Sequence, residues 1–135
     1  MSSNTSAFTN VEPSTLVNTI GLGCGTADTN LSIYYGGSAA QTPIGLGASF
    51  PAKTSNADWY EFVIYAPSNS NTEVYYKVTN LSTGAMAEGT LTAATAGTQL
   101  PANSTYMSPR IWRTNNATAT AVGITLSTIY IETDI

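Results

Sequence analysis

The chain has 135 residues, of which 42% are hydrophobic and only 9% are charged, and its formal net charge is -4. This length predicts a single domain, and the apolar fraction excludes a disordered composition. Because only Lys53, Lys77, Arg110 and Arg113 are basic, the chain offers few groups to phosphates, and nucleic-acid binding is not expected.

The first residues are polar and contain one proline. We interpret residues 1–13 as an N-terminal arm or linker, followed by a domain over residues 14–135. The start lacks the basic and apolar regions of a secretion signal. Strand-like segments then come at residues 14–23 and 30–36, and a loop rich in Gly, Pro and Ala contains a further short strand at 44–46.

The clearest strand pair covers residues 58–66 and 72–80, because both segments alternate between apolar and other side chains. One face of the pair consists of Tyr60, Phe62 and Ile64 with Val74, Tyr76 and Val78. Joining these faces sets the parity of the strand register, and one register with this parity places Glu61 opposite Lys77.

Further short segments complete the pattern. Gly84 provides for a positive φ in the turn before a strand at 85–94, in which Gly89 is interpreted as a bulge. Another short strand is expected at 105–114, and the chain ends in a long strand. With no sustained helical period, about eight short strands predict an all-β fold, an antiparallel two-sheet β-sandwich of jelly-roll or concanavalin-like type.

The last strand changes its pattern along its length. Val122, Ile124 and Leu126 alternate with small or polar residues, whereas Ile129, Tyr130 and Ile131 form an unbroken apolar run. A strand that is apolar on both faces must be covered on both faces. We therefore expect a homo-oligomer, most simply a trimer, with an interface at Ile129, Tyr130 and Ile131.

The side chains of common catalytic and metal sites are scarce. There is no histidine, and the single Cys24 cannot form a zinc cluster, so neither cofactor nor metal is expected. Two carboxylates that face one sugar support glycoside hydrolysis, and the candidate pairs are Asp58 with Glu61 and Glu132 with Asp134. We favour a solubilising chain end for this pair, and no enzyme. No segment reaches the length of a membrane span.

Aromatic side chains are the remaining candidates for binding. Trp59, Tyr65 and Tyr75 fall on the face opposite the predicted core, where either a glycan or a neighbouring subunit or sheet would contact them. Flat rings beside amides bind sugars because a sugar ring has an apolar face and a hydroxylated rim. The candidate glycan site in the loops consists of Tyr34, Tyr35, Trp112, Asn115 and Asn116.

Four segments of the sequence, taken in their order along the chain, resemble a known family. They are "IGLGCGTADTNLSIYY", "IGLGASFPA", "YEFVIYAPSNSNTEVYYKVTNLSTGAMAEGTL" and an ending that contains "YIETD". Over about residues 20–134 they resemble, in this order, a lectin-like domain of structural proteins of tailed bacteriophages, which occurs in tail-fibre tips, head fibres and related appendages. The region 47–51, the hairpin at 83–90 and the ending are the most specific parts of the likeness.

The resemblance implies a lectin-like β-sandwich, often trimeric, with no catalytic residues. The function expected from it is that of a virion structural protein, made in the host cytoplasm, that attaches to a glycan of the host surface and contacts other virion proteins. In this family the domain usually ends a longer chain, whereas about twenty residues precede it here. The alternative is therefore a capsid decoration protein anchored by its N-terminal arm, and a carbohydrate-active enzyme is the third hypothesis.

Overall fold

The computed structural model describes residues 1–3, 10–52, 58–68, 70–114 and 123–132. Within these ranges the chain forms a 3-10 helix, Pro13–Thr15, and six strands. The strands are β1 (Thr19–Gly23), β2 (Ser32–Gly36), β3 (Ile44–Gly45), β4 (Tyr60–Tyr65), β5 (Glu73–Asn80) and β6 (Met86–Thr92). Each lies inside a segment that the alternation pattern predicts, and the all-β class is confirmed.

The strands form two antiparallel sheets of three, in the orders β1-β2-β3 and β4-β5-β6. Both sheets contribute to a common hydrophobic core, with Ile33 from β2, Val78 from β5 and Leu91 from β6 all almost fully buried. Phe50 and Leu100 join the core from loops. Burial of each such side chain contributes roughly 1.5–3 kcal/mol.

The register of β4 and β5 differs from the predicted one by two residues. Glu61 lies opposite Thr79, and Val63 lies opposite Lys77. Lys77 instead has Glu88 of β6 as its partner in the ladder. The predicted parity is correct because the same side chains face the core, but parity alone permits every register that differs by two.

Two expectations about glycines have different outcomes. Gly84 has φ of +77°, which confirms the predicted turn. Gly89 is not a bulge, because the ladder between β5 and β6 is continuous and pairs it with Tyr76. A Cβ at position 89 would lie 2.8 Å from the Tyr76 hydroxyl oxygen, so the glycine leaves room for this ring.

The start of the chain is part of the fold. Ser2 is buried and forms isolated bridges with Thr19 and with Ser108. The backbone N–H of Ser2 donates to the Ser108 carbonyl and the N–H of Ser108 donates to the Ser2 carbonyl, each over 3.0 Å. The first three residues of the predicted arm 1–13 therefore pack between two other segments and do not extend from the domain. Residues 4–9 lie outside the described residues.

Two predicted strands are not observed among the described residues. The segment 105–114 forms only the bridge at Ser108. Residues 123–132 form no ladder with any described strand, and every one of them is exposed. Alternation indicates that a segment can form a strand, but a strand also needs a neighbouring strand as its pairing partner. No described strand forms a ladder with either of these two segments.

Candidate functional site

The outward side of the β4-β5-β6 sheet carries several large apolar side chains that are exposed. We call it the aromatic face, and its large side chains are Trp59, Val63, Tyr65, Tyr75 and Met86, each exposed by 42 to 65%. Strand alternation explains this arrangement, because the neighbouring residues point to the core. Exposed aromatic and aliphatic side chains on one face of a sheet are candidates for a site of interaction.

Two of these rings form a pair. Tyr65 and Tyr75 lie directly opposite each other across β4 and β5. Their ring centroids are 6.2 Å apart and the rings are inclined by 23°, so they stack. Trp59 lies six positions before Tyr65, a separation of about 20 Å along an extended chain. The rings therefore offer flat apolar contacts at both ends of an elongated surface.

The position of Trp59 is set by the turn that follows β5. Its backbone N–H donates to Ser82 Oγ over 3.2 Å, and its carbonyl accepts from the N–H of Leu81 over 2.8 Å. Asn80, which is fully buried, stabilises this turn through a bond from the Ser82 N–H to its Oδ1 over 3.0 Å. The sequence reasoning did not single out Asn80, although an Asn directly before "LSTG" is a signal for such a turn.

A shallow groove lies beside this turn. It has a volume of about 430 Å³, and Ser49, Asp58, Asn80 and Gly84 are among the residues that line it. Asn80 Nδ2 donates to the Ser49 carbonyl over 3.0 Å. The amide of Asn80 thus connects loop to strand, and Asp58 is the charged residue among the described residues that line the groove.

The charges on the aromatic face are mostly negative. By alternation, Glu61, Glu73 and Glu88 point to the same side of the sheet as Lys77. Three carboxylates against one ammonium group repel anions at short range. The face therefore disfavours an anionic ligand.

The residues of the predicted glycan site in the loops do not share one accessible surface, because Tyr34 is buried and Tyr35 packs against the core. Tyr34 is only 4% exposed and lies in β2. Its hydroxyl donates to Asp28 Oδ2 over 2.7 Å and accepts from the Gly25 N–H over 2.8 Å. Burial, and next the bond to Asp28, raise the pKa of Tyr34. Tyr35 packs against the core. Tyr34 therefore has a structural role, because the residue is buried and its hydroxyl forms hydrogen bonds within the chain.

The other predicted residues have different positions. Trp112 is partly buried. Asn115 and Asn116 lie outside the described residues, as does Asp134. Glu132 is exposed and accepts a hydrogen bond from the Tyr130 hydroxyl over 3.0 Å. Ile129, Tyr130 and Ile131 are 54%, 80% and 56% exposed.

The described ranges offer no metal cluster and no membrane-spanning helix. They contain no group of three or more His, Cys, Asp and Glu side chains that could hold a metal ion. No helix in the same ranges is long and apolar enough to cross a membrane. Cys24 is a reduced thiol that donates a hydrogen bond to the Asp28 carbonyl oxygen over 3.3 Å.

No known protein family, no curated protein and no solved structure matches this chain. The assignment of a site therefore depends on the exposed side chains and their geometry. The aromatic face is the candidate site with the largest described set of accessible rings, and its strands hold these rings at defined separations.

Proposed function

We propose that this protein is a non-enzymatic structural component of a bacteriophage virion that attaches to a neutral glycan of the host surface through its aromatic face. The observation that carries the proposal is the exposure of Trp59, Tyr65 and Tyr75 on one side of a hydrogen-bonded sheet. Exposed rings are costly in water, and they are retained where they contact a ligand or partner.

The proposal includes the fold and the assembly. The two three-stranded sheets share one core, which supports a lectin-like β-sandwich with the two sheets as its layers. The chain works as a homotrimer, and the exposed side chains of Ile129, Tyr130 and Ile131 supply the contacts between copies. Other virion proteins contact the assembled trimer.

The second candidate, a capsid decoration protein anchored by its N-terminal arm, has less support. Ser2 is buried between Thr19 and Ser108, so the described start of the segment is engaged within the domain. The third candidate, a carbohydrate-active enzyme, needs two carboxylates at one sugar. Asp58 lines the groove, whereas Glu61 belongs to the aromatic face by alternation, so these two do not support it.

Binding to immobilised polysaccharides tests the proposal. The full chain is applied to neutral and to acidic bacterial surface polysaccharides, and the variants Tyr75→Ala and Tyr65→Ala are compared with the original. We expect binding to a neutral polysaccharide that weakens about tenfold or more in each variant, the effect of removing one central aromatic contact. Tyr106→Ala is the matched control, because Tyr106 is 96% exposed and lies outside the sheet.

The outcomes are distinct. Equal binding by Tyr75→Ala and the original protein would remove the aromatic face from consideration. Binding restricted to acidic polysaccharides would contradict the charge argument. Hydrolysis of any of these polysaccharides by the protein would contradict the non-enzymatic assignment.

A further inference from the structure

The side chains of the aromatic face form rows across the three strands. Tyr65 of β4 lies opposite Tyr75 of β5, and Thr90 of β6 continues the same row. Trp59 lies at the other end of the face, where its carbonyl accepts the Leu81 N–H over 2.8 Å. Rows on one side of a sheet follow one another by about 6.6 Å, so three steps separate Trp59 from Tyr65 by about 20 Å. The face therefore has an aromatic residue at each of its two ends.

The outward positions between these two ends are mostly polar. They are Glu61 and Val63 in β4, with Thr79 and Lys77 as their partners in β5. Carboxylate, hydroxyl and ammonium groups donate or accept hydrogen bonds, so this stretch can bind the hydroxyl rim of a sugar chain. Rings at both ends with polar groups between them correspond to a ligand that is extended and carries hydroxyl groups along its length.

The rings of the aromatic face belong to an open surface. The groove at Asp58 and a second groove at Asp28 have linings that include neither Trp59 nor the Tyr65–Tyr75 pair. Compact ligands are held in concave sites that cover most of their surface. A single sugar on this face contacts only one end, whereas a longer chain that reaches both ends gains from two linked contacts.

We propose that the glycan ligand is a linear, neutral chain that lies along β4 and is recognised over about five sugar units, with one unit on Trp59 and one on the Tyr65–Tyr75 pair. Because one unit of an extended sugar chain is about 5 Å long, the roughly 20 Å between the two ends correspond to about four steps and hence to about five units. This inference rests on the glycan binding proposed above and adds the length and the direction of the ligand.

The charges on the face disfavour an anionic chain. Glu61 lies under the path from Trp59 to Tyr65, and Glu88 of β6 stands opposite Lys77. A carboxylate or phosphate on the ligand would approach Glu61 at short range and be repelled. A neutral chain avoids this repulsion, and its binding does not depend on ionic strength.

Oligosaccharides of graded length test the inference. They are prepared by partial hydrolysis of the linear neutral polysaccharide that the full chain binds, and their dissociation constants are measured by calorimetry. We expect Kd to fall about tenfold or more between chains of about three and about six units, and to change little beyond that, because only the longer chains reach both ends. Kd should stay constant between about 0.05 and about 0.5 M salt.

Substitutions at the two ends should act differently on short and long chains. Trp59→Ala should weaken binding of the six-unit chain about tenfold and leave the three-unit chain within about twofold, because the short chain binds at the larger tyrosine pair. Tyr75→Ala should weaken both. Trp59→Phe keeps a flat ring and should retain most of the gain with length, which separates loss of the ring from a local change of fold.

Met86→Ala is the matched control. Met86 is 65% exposed and lies near the Trp59 end of the sheet, opposite Thr79, but in β6 and thus about 10 Å from β4. A ligand that lies along β4 does not contact it, so Kd should be unchanged for chains of every length.

The other outcomes differ in what they overturn. A Kd that is independent of length, or an equal loss in Trp59→Ala for short and long chains, would overturn the inference and leave the proposed function in place. A loss in Met86→Ala as large as in Trp59→Ala would overturn the direction along β4, and a Kd that changes with salt would overturn neutrality. Failure to bind any polysaccharide would overturn the proposed function as well. A lower mass of Tyr75→Ala in light scattering would assign the face to contacts between copies and overturn both.

Discussion

Replacing Tyr34 by Phe should lower stability at neutral pH and also make stability less sensitive to alkali. Tyr34 is 4% exposed, and its hydroxyl donates to the Asp28 carboxylate over 2.7 Å. A hydrogen bond to a charged group contributes about 1.5–3 kcal/mol. The Gly25 N–H keeps a second acceptor, Asp28 Oδ2 at 3.1 Å. We therefore expect Tyr34→Phe to lose about 2 kcal/mol in the free energy of unfolding near pH 7.

The dependence on pH follows from the pKa of the same hydroxyl. Burial and the neighbouring Asp28 raise the pKa of Tyr34 above its usual value, so the folded protein keeps the proton that the unfolded chain releases near pH 10. Below about pH 10 the Tyr34 hydroxyl makes its full contribution to the free energy of unfolding, and this contribution falls as the pH rises further. At about pH 11 the original protein should have lost about 1 kcal/mol on this account, and Tyr34→Phe should not lose it.

Urea unfolding at about pH 7, 9 and 11 measures both effects. Burial also raises the pKa of Tyr60 and of Tyr76, but both residues are present in each protein, so their effects cancel in the difference. Tyr106→Phe, at a position 96% exposed, should follow the original protein within about 0.5 kcal/mol. A stability gap between Tyr34→Phe and the original that stays constant from pH 9 to 11 would refute the reasoning.

Two further substitutions test the packing and the predicted loop site. Gly37→Ala should cost about 3 kcal/mol or more, because an added Cβ would overlap the carbonyl oxygens of Leu100 and Gly97. Gly21→Ala, where no other atom lies within 4 Å, should stay within about 1 kcal/mol of the original in the same urea titration. Trp112→Ala should weaken binding to the immobilised neutral polysaccharide and leave the far-ultraviolet circular dichroism unchanged. Unchanged binding would exclude Trp112 from the glycan site.

The strands were the most predictable part of the molecule. Alternation over "YEFVIY" and "EVYYKV" reports which side chains face a core, and it located β4 and β5 to within two residues at each end. The same pattern placed Trp59, Tyr65 and Tyr75 away from the core, and all three are exposed. The role of these three residues in binding stays a proposal, because alternation shows to which side of the sheet a side chain points but not which molecule it contacts.

The loop site was the least predictable part. Tyr34 was assigned to glycan binding as one of the aromatic residues of the candidate loops. Its burial depends on Asp28 and Gly25, which approach its hydroxyl only when the preceding loop folds back over β2. Likewise, the hairpin register shifted by two because parity cannot distinguish Val63 from Glu61 as the partner of Lys77.

The amino-acid sequence by itself determined the all-β class, the positions of six strands and the side of the sheet to which each aromatic ring of β4 and β5 points. These properties follow from the period of two between neighbouring side chains, which is local. Only the tertiary structure decided that Ser2 is interior, that Tyr34 is bonded to Asp28, and that residues 123–132 are exposed. Such properties depend on which distant segments meet, and short-range alternation carries no information about that.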